Sequence, residues 1–523
     1  MTMPKLLAFF LLLAPLIAAP PPNILWISIE DTGAEIGPYG DVHARTPNLD
    51  KLAAEGAVFM RAFSHAPVCA VARSGIITGV YPASIATHNM RSRMVPPPYI
   101  KAFPEYLRAK GYYTTNNSKT DYNFFPPRTA WDENSKRAHW KHRPDPHQPF
   151  FAVFNLTSSH EGAVRRQMAA RLKNPAAGIH DAANLVLPPY YPDTPKVREA
   201  WAAYYDVVTI TDRRIGELLR ELVDAGHYRD TLVVFWGDHG VGLARAKRWL
   251  YDSGVRVPII VRWPGVVEPG TIRDDLVQFL DLAPTMLAAA GIDKPDYMDG
   301  RVFLGPRTEP PPQRLFFERD RMDERNDMIR AVRDKRYKYI RNFESHKPWI
   351  QFMRTPSQGP IYQELARLKK EGKLDRITGF FAADTKPYEE LYDTLADPYE
   401  VHNIAADPEQ QGRLAAMRGQ LVEWMVRIND AGLVPEPEHY RHMYPDNRVP
   451  VTKAPVARTS TARKASLMVS LSSATEGASI DYRVDGGRWL LYTGPVRLVR
   501  GGRLEAVAAR LGYEDSTVTI VTN

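Results

Sequence analysis

The segment Asn23-Ile24-Leu25-Trp26-Ile27-Ser28-Ile29, which runs directly into Glu30-Asp31, decides the fold class of this chain. It is a short apolar run rich in residues that favour β-structure. Strands of a parallel sheet that is covered on both faces lose the apolar–polar alternation of half-exposed strands. The run therefore predicts a buried strand that ends abruptly in two carboxylates.

Two further apolar runs, residues 232–236 and 257–262, indicate more strands of the same sheet, and residues 57–63 indicate another. The first of them also ends in acid, in Gly237-Asp238-His239-Gly240. Helices are predicted between these strands, one opening at Thr46-Pro47 with Thr46 as its N-cap, and one over about 197–225. Strands that alternate with helices predict an α/β fold whose mixed sheet is mostly parallel and flanked by helices.

The pattern changes at about residue 314. Residues 328–332 and 337–340 flank a polar turn and predict a hairpin, and residues 414–424 carry apolar side chains at helical spacing. We therefore expect a large α/β domain over 22–313 and a smaller α+β subdomain over 314–445. A linker over 446–463 and a small β-sandwich over 464–523 are expected after it, because Pro and Thr are frequent in the first and glycine turns separate short alternating runs in the second.

Composition excludes several classes of protein. The chain has 523 residues, of which 44% are apolar and 24% charged, so it is not globally disordered. Its single cysteine excludes an internal disulfide framework. The net charge of +8 is modest for this length and comes without a polybasic arm, so no nucleic-acid partner is expected.

The N-terminus predicts export. Lys5 precedes an apolar stretch over residues 6–19, which ends in small residues before Pro20 and is too short to span a membrane. This is the pattern of a secretory signal peptide, assigned to residues 1–19. We expect an exported protein, periplasmic or secreted, with no transmembrane segment after the signal is removed.

Carboxylates at the ends of two strands predict a metal site. Glu30-Asp31 and Asp238 follow buried strands, and ligands bind at the carboxyl ends of strands in open α/β sheets. Hard oxygen ligands suit Ca²⁺ or Mg²⁺. The alternative interpretation is that these acids only cap loops.

The lone cysteine lies in Cys69-Ala70-Val71-Ala72-Arg73, just before a predicted helix. A cysteine at a helix N-terminus faces unpaired backbone N–H groups, and Arg73 follows one turn later on the same face. This pattern favours a reactive residue in an anion-binding cradle. The alternative is a small buried thiol, which is the commonest fate of a free cysteine.

Six motifs in order resemble the type I sulfatases, which belong to the alkaline-phosphatase-like superfamily. The resemblance covers roughly residues 22–435 and rests on these segments: Asn23-Ile24-Leu25 with Glu30-Asp31, Tyr39-Gly40 with Thr46-Pro47-Asn48-Leu49-Asp50, Cys69-x-x-x-Arg73, Gly237-Asp238-His239-Gly240, Lys247-x-x-Leu250-Tyr251-Asp252 with Trp263-Pro264-Gly265, and Glu389-Glu390-Leu391-Tyr392-Asp393 with Asp397-Pro398. Residues 464–523 resemble the β-sandwich modules appended to carbohydrate enzymes, through Ala478-Ser479-Ile480-Asp481-Tyr482 and Tyr492-Thr493-Gly494-Pro495. Such a module binds glycan or serves only as a structural appendage.

The resemblance implies a sulfuric ester hydrolase. In that family a maturation enzyme oxidises the cysteine to formylglycine, whose hydrate attacks sulfur beside one Ca²⁺ ion. Carried over by motif, the metal ligands are Glu30, Asp31, Asp238, His239 and the modified Cys69. The implied catalytic residues are Cys69, Arg73, Lys119, Lys247 and His160, the last as proton donor to the leaving oxygen. His88 and Arg91 are weaker candidates for the substrate pocket.

The chain departs from the family pattern at two positions. Where the family lysine precedes a histidine by two residues, Lys119 here precedes Asp121. Where the family signature that directs maturation of the cysteine has Pro or Ala, this chain has Val71. Three alternatives to a glycan O-sulfatase stay open. A sulfamidase acting on N-sulfated glucosamine would use the same machinery, and a phosphatase-like enzyme would share the sheet and the metal placement. The two departures raise the third, an inactive glycan-binding relative.

The expected substrate is a sulfated glycan, such as a glycosaminoglycan, outside the cytoplasm. An insert over 346–373 carries Trp349, Arg354, Tyr362, Lys369 and Lys370. Aromatic and basic side chains suit stacking on sugar rings and pairing with sulfate, so Arg354 is predicted to contact substrate. The alternative is an amphipathic surface helix over 361–374 with its lysines in water.

Overall fold

The computed structural model describes residues 21–444, 446–462 and 466–523. The predicted signal peptide lies outside the described residues. Within them, the largest sheet has eight strands in the order β4-β3-β5-β1-β6-β7-β2-β8. They are β1 (Asn23–Ile29), β2 (Ala57–Phe63), β3 (Tyr113–Asn117), β4 (Glu133–Asn134), β5 (Phe150–Leu156), β6 (Thr231–Gly237), β7 (Ile259–Arg262) and β8 (Thr271–Gln278).

Strand β1 lies inside this sheet, parallel to both β5 and β6, and all seven of its residues are buried. Leu25 and Ile27 belong to the hydrophobic core on one face of the sheet, whereas Ile24 and Trp26 belong to the core on the other. This explains why the segment is apolar without alternation. Strand β7 runs antiparallel to β6 and β2, so the sheet is mixed and mostly parallel, as predicted.

Helices cover both faces of the sheet. The core on one face includes α1 (Pro47–Ala54), α4 (Glu161–Lys173) and α5 (Pro195–Asp224). The opposite core includes α2 (Cys69–Thr78), α3 (Phe103–Ala109) and α7 (Leu282–Ala289). The short α6 (Asp252–Val255) precedes β7. Thr46 is the N-cap residue of α1, as predicted, but its hydroxyl accepts the Gly37 N–H, at 3.0 Å, and not an N–H of the helix.

A second sheet follows along the chain, with β9 (Leu315–Arg319), β10 (Ile329–Arg333), β11 (Tyr337–Asn342) and β12 (Glu389–Asp393) in the order β12-β11-β10-β9. Strands β10 and β11 form the predicted hairpin. Helix α9 (Gln411–Arg427) packs on this sheet through Leu414, Leu421 and Trp424. Helices α8 (Pro360–Lys370) and α10 (Glu436–Met443) complete this part of the chain.

The C-terminal strands form two small antiparallel sheets. The first contains β13 (Val456–Ala462), β14 (Ser466–Ser472) and β17 (Val496–Leu498), and the second contains β15 (Ser479–Val484), β16 (Leu490–Leu491), β18 (Arg503–Ala509) and β19 (Thr519–Thr522). Strand β13 lies within residues 446–463, where the sequence predicts a linker, so 456–462 belong to the first of these sheets. Strand β13 lies at the edge of its sheet, and its side chains are mostly polar and exposed. It therefore lacks the apolar pattern by which a strand is recognised in a sequence.

The C-terminal sheets are docked on the α/β domain. Arg108 on α3 donates to Asp481 on β15 at 2.9 Å, and both side chains are buried. Leu511 packs into the same core as Tyr122 and Trp131 of the α/β domain. No helix in the described part of the chain combines the length and apolarity that crossing a membrane requires.

Candidate active site

Three buried carboxylates meet where β1 and β6 end. Glu30, Asp31 and Asp238 are each at most 2% exposed, and the Asp31 backbone N–H donates to Asp238 Oδ1 at 3.0 Å. Asp31 has φ 52°, in the left-handed region that aspartate tolerates better than most residues. Gly242 passes so close that a Cβ there would lie 2.7 Å from Asp31 Oδ2, so a larger residue would displace this carboxylate.

Cations surround these carboxylates. Lys247 Nζ lies 2.9 Å from Asp31 Oδ1 and 3.0 Å from Asp31 Oδ2, and it is 1% exposed. Arg73 Nη2 lies 3.6 Å from Glu30 and 3.5 Å from Asp238, and Lys119 Nζ contacts Glu30 directly. Burial alone would raise the pKa of Asp31, but Lys247 and other nearby cations hold it well below its ordinary value.

His239 experiences the negative field of this cluster most strongly. Its Nε2 lies 3.0 Å from Asp31 Oδ1, while its Nδ1 lies 2.9 Å from the Gly240 carbonyl oxygen. Burial alone would lower the pKa of His239, yet the carboxylates of Asp238 and Asp31 raise it to about 10. The cluster therefore holds positive charge tightly.

The arrangement fits a divalent cation. Asp238 Oδ2 is buried and has no hydrogen-bond partner among the described residues, which is costly unless a ligand contacts it. Donor atoms of Cys69, Asp238 and His239 lie within 4.8 Å of one another. Carboxylate oxygens are the ligands that Ca²⁺ prefers, and His239 adds one nitrogen.

Cys69 is the first residue of α2 and is 1% exposed. The preceding segment ends in extended backbone at Val68, so the first turn of the helix presents its free N–H groups beside the thiol. Arg73, one turn later, reaches the carboxylates, and its guanidinium lies 5.5 Å from the centre of the Trp236 ring. The structure therefore brings Cys69 and Arg73 to the same edge of the sheet as the carboxylates.

His160 precedes α4 and faces the same cluster. Its Nδ1 accepts the Gly162 N–H at 3.3 Å, and its Nε2 lies 3.4 Å from Lys247 Nζ. Glu161, the next residue, was not recognised from the sequence. Its carboxylate pairs with Lys247 at 3.3 Å and with Arg248 at 3.0 Å. The sequence offered one signal for it, an acidic residue directly after His160.

Asp121 lies 3.7 Å from Lys119 Nζ, on the loop that follows β3. It has φ 53°, again in the left-handed region. This aspartate thus stands close to the lysine that contacts Glu30, at the position where the resemblance predicts a histidine.

His88 and Arg91 lie apart from the carboxylates. Among the described residues, neither side chain hydrogen-bonds to Cys69, Arg73 or the strand-end acids. His88 is buried, with Nε2 3.2 Å from Asn89 and its ring 5.9 Å from that of His439. Arg91 is exposed, and its backbone N–H donates to Asn123. Their contact with substrate stays a prediction.

The insert over 346–373 differs in part from the expectation. Trp349 is 1% exposed and packs on Phe380, and Tyr362 is also buried, so neither can stack on a sugar ring and that prediction is wrong. Trp349 and Tyr362, the latter within α8, belong to the hydrophobic core, whereas Lys369 and Lys370 of the same helix are exposed. Arg354 is exposed, and the neighbouring Met353 is buried in one cluster with Cys69, so this segment runs beside the site.

Asn155, at the end of β5, is a second residue that sequence reasoning missed. Its Oδ1 accepts a hydrogen bond from Arg73 Nη1 at 2.6 Å. The signal was present, because β5 is a third buried strand of the sheet that ends in a polar side chain.

Comparisons with known proteins agree with this geometry. The sulfatase family model matches residues 22–144 and 136–292, and the model for the C-terminal part of N-sulphoglucosamine sulphohydrolase matches 237–358. An ulvan-active sulfatase of Formosa agariphila is 38% identical over 95% of this chain and 90% of its own length. The human N-sulphoglucosamine sulphohydrolase is 26% identical over 80% of this chain and 93% of its own length.

Solved structures share the fold. A structure in complex with its substrate D-glucosamine-2-N,6-O-disulfate aligns with a TM-score of 0.58 at 17% identity, covering 80% of this chain and 99% of that one. A phosphonate monoester hydrolase from Silicibacter pomeroyi aligns with a TM-score of 0.58 at 20% identity, covering 79% and 97%. The mixed sheet has the architecture of these structures, and the match to the sulfatase family model assigns the chain to the alkaline-phosphatase-like fold. Within that class the chain belongs to the sulfatase family, and it is a sulfuric ester hydrolase.

Proposed function

We propose that this enzyme hydrolyses sulfate esters of a sulfated glycan, with a formylglycine made from Cys69 as nucleophile and one Ca²⁺ ion as cofactor. The observation that carries the proposal is the position of Cys69. It begins α2 with its sulfur in reach of Asp238 and His239, and Arg73 follows one turn later. A buried thiol with only a packing role would lie among apolar side chains, and not beside the charged groups of Asp238, His239 and Arg73.

Glu30, Asp31, Asp238, His239 and the modified Cys69 would hold the Ca²⁺ ion. When bound, the ion supplies positive charge that neutralises the nonbridging oxygens of the sulfate group. The buried Asp238 Oδ2, which accepts no hydrogen bond from the described residues, supports these ligands.

The chain's own residues perform the remaining steps. Arg73, Lys119 and Lys247 bind the sulfate oxygens, and burial does not discharge them because the carboxylates raise the pKa of each. A formylglycine hydrate at position 69 would supply the oxygen that displaces the glycan oxygen from sulfur, its proton passing to a carboxylate of the cluster, and loss of sulfate from the hydrate would then restore the aldehyde. We assign to His160, which lies 3.4 Å from Lys247 at the edge of the cluster, the proton transfer to that departing oxygen.

The relatives support a glycan substrate outside the cytoplasm. A sulfatase that shares 38% identity over nearly the whole chain is named for its activity on ulvan, so we propose a sulfated polysaccharide of that kind. The N-terminal signal pattern supports export to the periplasm or beyond, and a maturation enzyme that generates formylglycine is the expected partner. We retain residues 22–313 and 314–445 as the two parts of the catalytic unit, with a β-sandwich module after them.

A second candidate is hydrolysis of an N-sulfate on glucosamine. The match of residues 237–358 to the C-terminal model of N-sulphoglucosamine sulphohydrolase favours it. The same nucleophile and cations serve both bonds, and only the leaving atom differs. Turnover of N-sulfated glucosamine against O-sulfated oligosaccharides by the same preparation decides between the two candidates.

Replacement of the nucleophile tests the proposal. Cys69→Ala removes covalent catalysis and should lower turnover of an aryl sulfate and of a sulfated oligosaccharide by several orders of magnitude. Its thermal unfolding should stay close to that of the parent, because the side chain is small. A folded variant that keeps more than about a tenth of the parent rate would contradict the assignment.

A further inference from the structure

Three asparagines form a row of side-chain amides at the carboxyl ends of neighbouring strands. Asn134 on β4 lies beside Asn116 on β3 in the sheet register, and Asn155 on β5 lies beside Ser28 on β1. Asn116 Nδ2 donates to Asn134 Oδ1 at 2.9 Å, and Asn155 Nδ2 donates to Asn116 Oδ1 at 2.9 Å. The row therefore runs across the sheet towards the carboxylate cluster.

The amide of Asn155 is held in one orientation. Its Oδ1 accepts from Ser28 Oγ at 2.8 Å and from Arg73 Nη1 at 2.6 Å, while its Nδ2 faces Asn116 Oδ1. Rotating the amide by half a turn would set its Nδ2 against the Arg73 guanidinium, which can only donate, and its Oδ1 against Asn116 Oδ1. Because Asn155 is only 9% exposed, water would not repair those losses.

Asn155 is the hydrogen-bond partner that orients Arg73. Among the described residues, the guanidinium makes no other hydrogen bond. Its Nη2 is 3.5 Å or more from the carboxylates, and its Nε and Nη2 are buried without a hydrogen-bond partner. The direction in which Arg73 presents its free N–H groups therefore depends on Asn155.

The same row reaches the second cation. Asn116 Nδ2 donates to the Lys119 carbonyl oxygen at 3.2 Å, and Asn155 Nδ2 lies 3.5 Å from that oxygen. Lys119 and Arg73 both approach Glu30, one from the loop after β3 and one from α2. The asparagine amides thus fix the side chain of Arg73 and the backbone of Lys119.

We propose that Asn155, supported by Asn116, is a positioning residue that sets the placement of Arg73 and Lys119 around the sulfate group. This inference rests on the proposed function, because it assigns these two cations to sulfate binding. Asn155 itself contacts neither substrate nor the reacting atoms. A misplacement of about 1 Å in such a group costs roughly 100-fold in rate, so a fixed amide network at this point has a large kinetic effect.

A double-mutant cycle tests the proposal. Asn155→Leu removes both polar ends at similar size, and Asn155→Thr, which suits a strand, serves if the leucine variant does not fold. Each is made in the parent and in Arg73→Lys, and kcat and KM are measured with an aryl sulfate. Rates are normalised to the formylglycine fraction of each preparation, determined by mass spectrometry. Asn342→Leu is the matched control, because Asn342 is a fully buried asparagine whose Nδ2 donates to Pro387 and Glu390 in the second sheet.

We expect Asn155→Leu to lower kcat by about 30- to 100-fold in the parent and by a several-fold smaller factor in Arg73→Lys, where only its support of Lys119 is left to lose. Asn342→Leu should lower the unfolding midpoint and leave the normalised kcat within about threefold of the parent. Equal losses from Asn155→Leu in both backgrounds would overturn the proposal. A kcat loss in Asn342→Leu as large as in Asn155→Leu would also overturn it. Failure of the parent to cleave any sulfate ester would instead refute the proposed function.

Discussion

Replacing Lys247 by methionine should destabilise the protein in a calcium-dependent way. The Lys247 ammonium is 1% exposed and lies 2.9 and 3.0 Å from the two oxygens of Asp31 and 3.3 Å from Glu161. Removing one partner of a buried ion pair costs about 3–5 kcal/mol, because the other charge is left uncompensated.

The structure places this variant at the lower end of that range. Glu161 keeps its pair with Arg248, and Asp31 keeps His239 at 3.0 Å, so only part of the compensation is lost. We expect about 3 kcal/mol in chelator-treated protein. A bound Ca²⁺ ion would compensate Asp31 in place of the lysine, and the cost should then fall to about 1 kcal/mol.

The assay is denaturant unfolding of parent and variant, with chelator and with excess Ca²⁺. Lys386→Met is the matched control, since Lys386 is also buried and pairs with Asp327 at 2.8 Å in a cluster apart from the strand-end acids. Its cost should be the same with and without Ca²⁺. An equal cost for Lys247→Met in both conditions would refute the reasoning, because Asp31 would then not share its charge with a metal.

Three further predictions follow from the described contacts. Chelation should abolish activity and lower the unfolding temperature, with Ca²⁺ restoring both, and less than about half an equivalent of metal in active enzyme would contradict the metal site. Arg354→Ala should raise KM for a sulfated oligosaccharide far more than for an aryl sulfate, whereas equal changes on both would show that Arg354 has no role in glycan recognition. Burial alone would raise the pKa of Asp206, but hydrogen bonds from His180, Gln167 and Arg171 lower it to about 2. A carboxyl group whose pKa is lower in the folded than in the unfolded protein stabilises the fold at pH values above its unfolded pKa. The stabilisation by Asp206 should therefore be lost as the pH falls from about 4 through 2, and Asp206→Asn should flatten that part of the stability–pH curve. An unchanged curve would contradict it.

The sequence predicted those parts of the fold that depend on local pattern. The apolar segment before Glu30 could be interpreted as a buried strand because each of its faces meets a separate core. The hairpin of β10 and β11 was predictable because a polar turn separates two alternating runs. Strand β13 was not, since its side chains are mostly exposed and its pairing with β14 leaves no apolar periodicity.

The site was predictable only residue by residue along the chain. Cys69, Asp31 and Asp238 stand in recognisable motifs, whereas the link from Asn155 to Arg73 arises from strand register and from the packing of α2 on the sheet. Burial of Trp349 is likewise a tertiary effect, because its ring fills a space beside Phe380 that the sequence does not reveal. Side-chain partners that are distant along the chain require the folded structure.

The mass of the peptide that contains Cys69, taken from active enzyme, tests the central claim most directly. Conversion of the thiol to formylglycine makes this peptide about 18 Da lighter, and the converted fraction should rise in proportion to the specific activity across preparations. Fully active enzyme whose Cys69 peptide carries only the unmodified thiol would contradict the account.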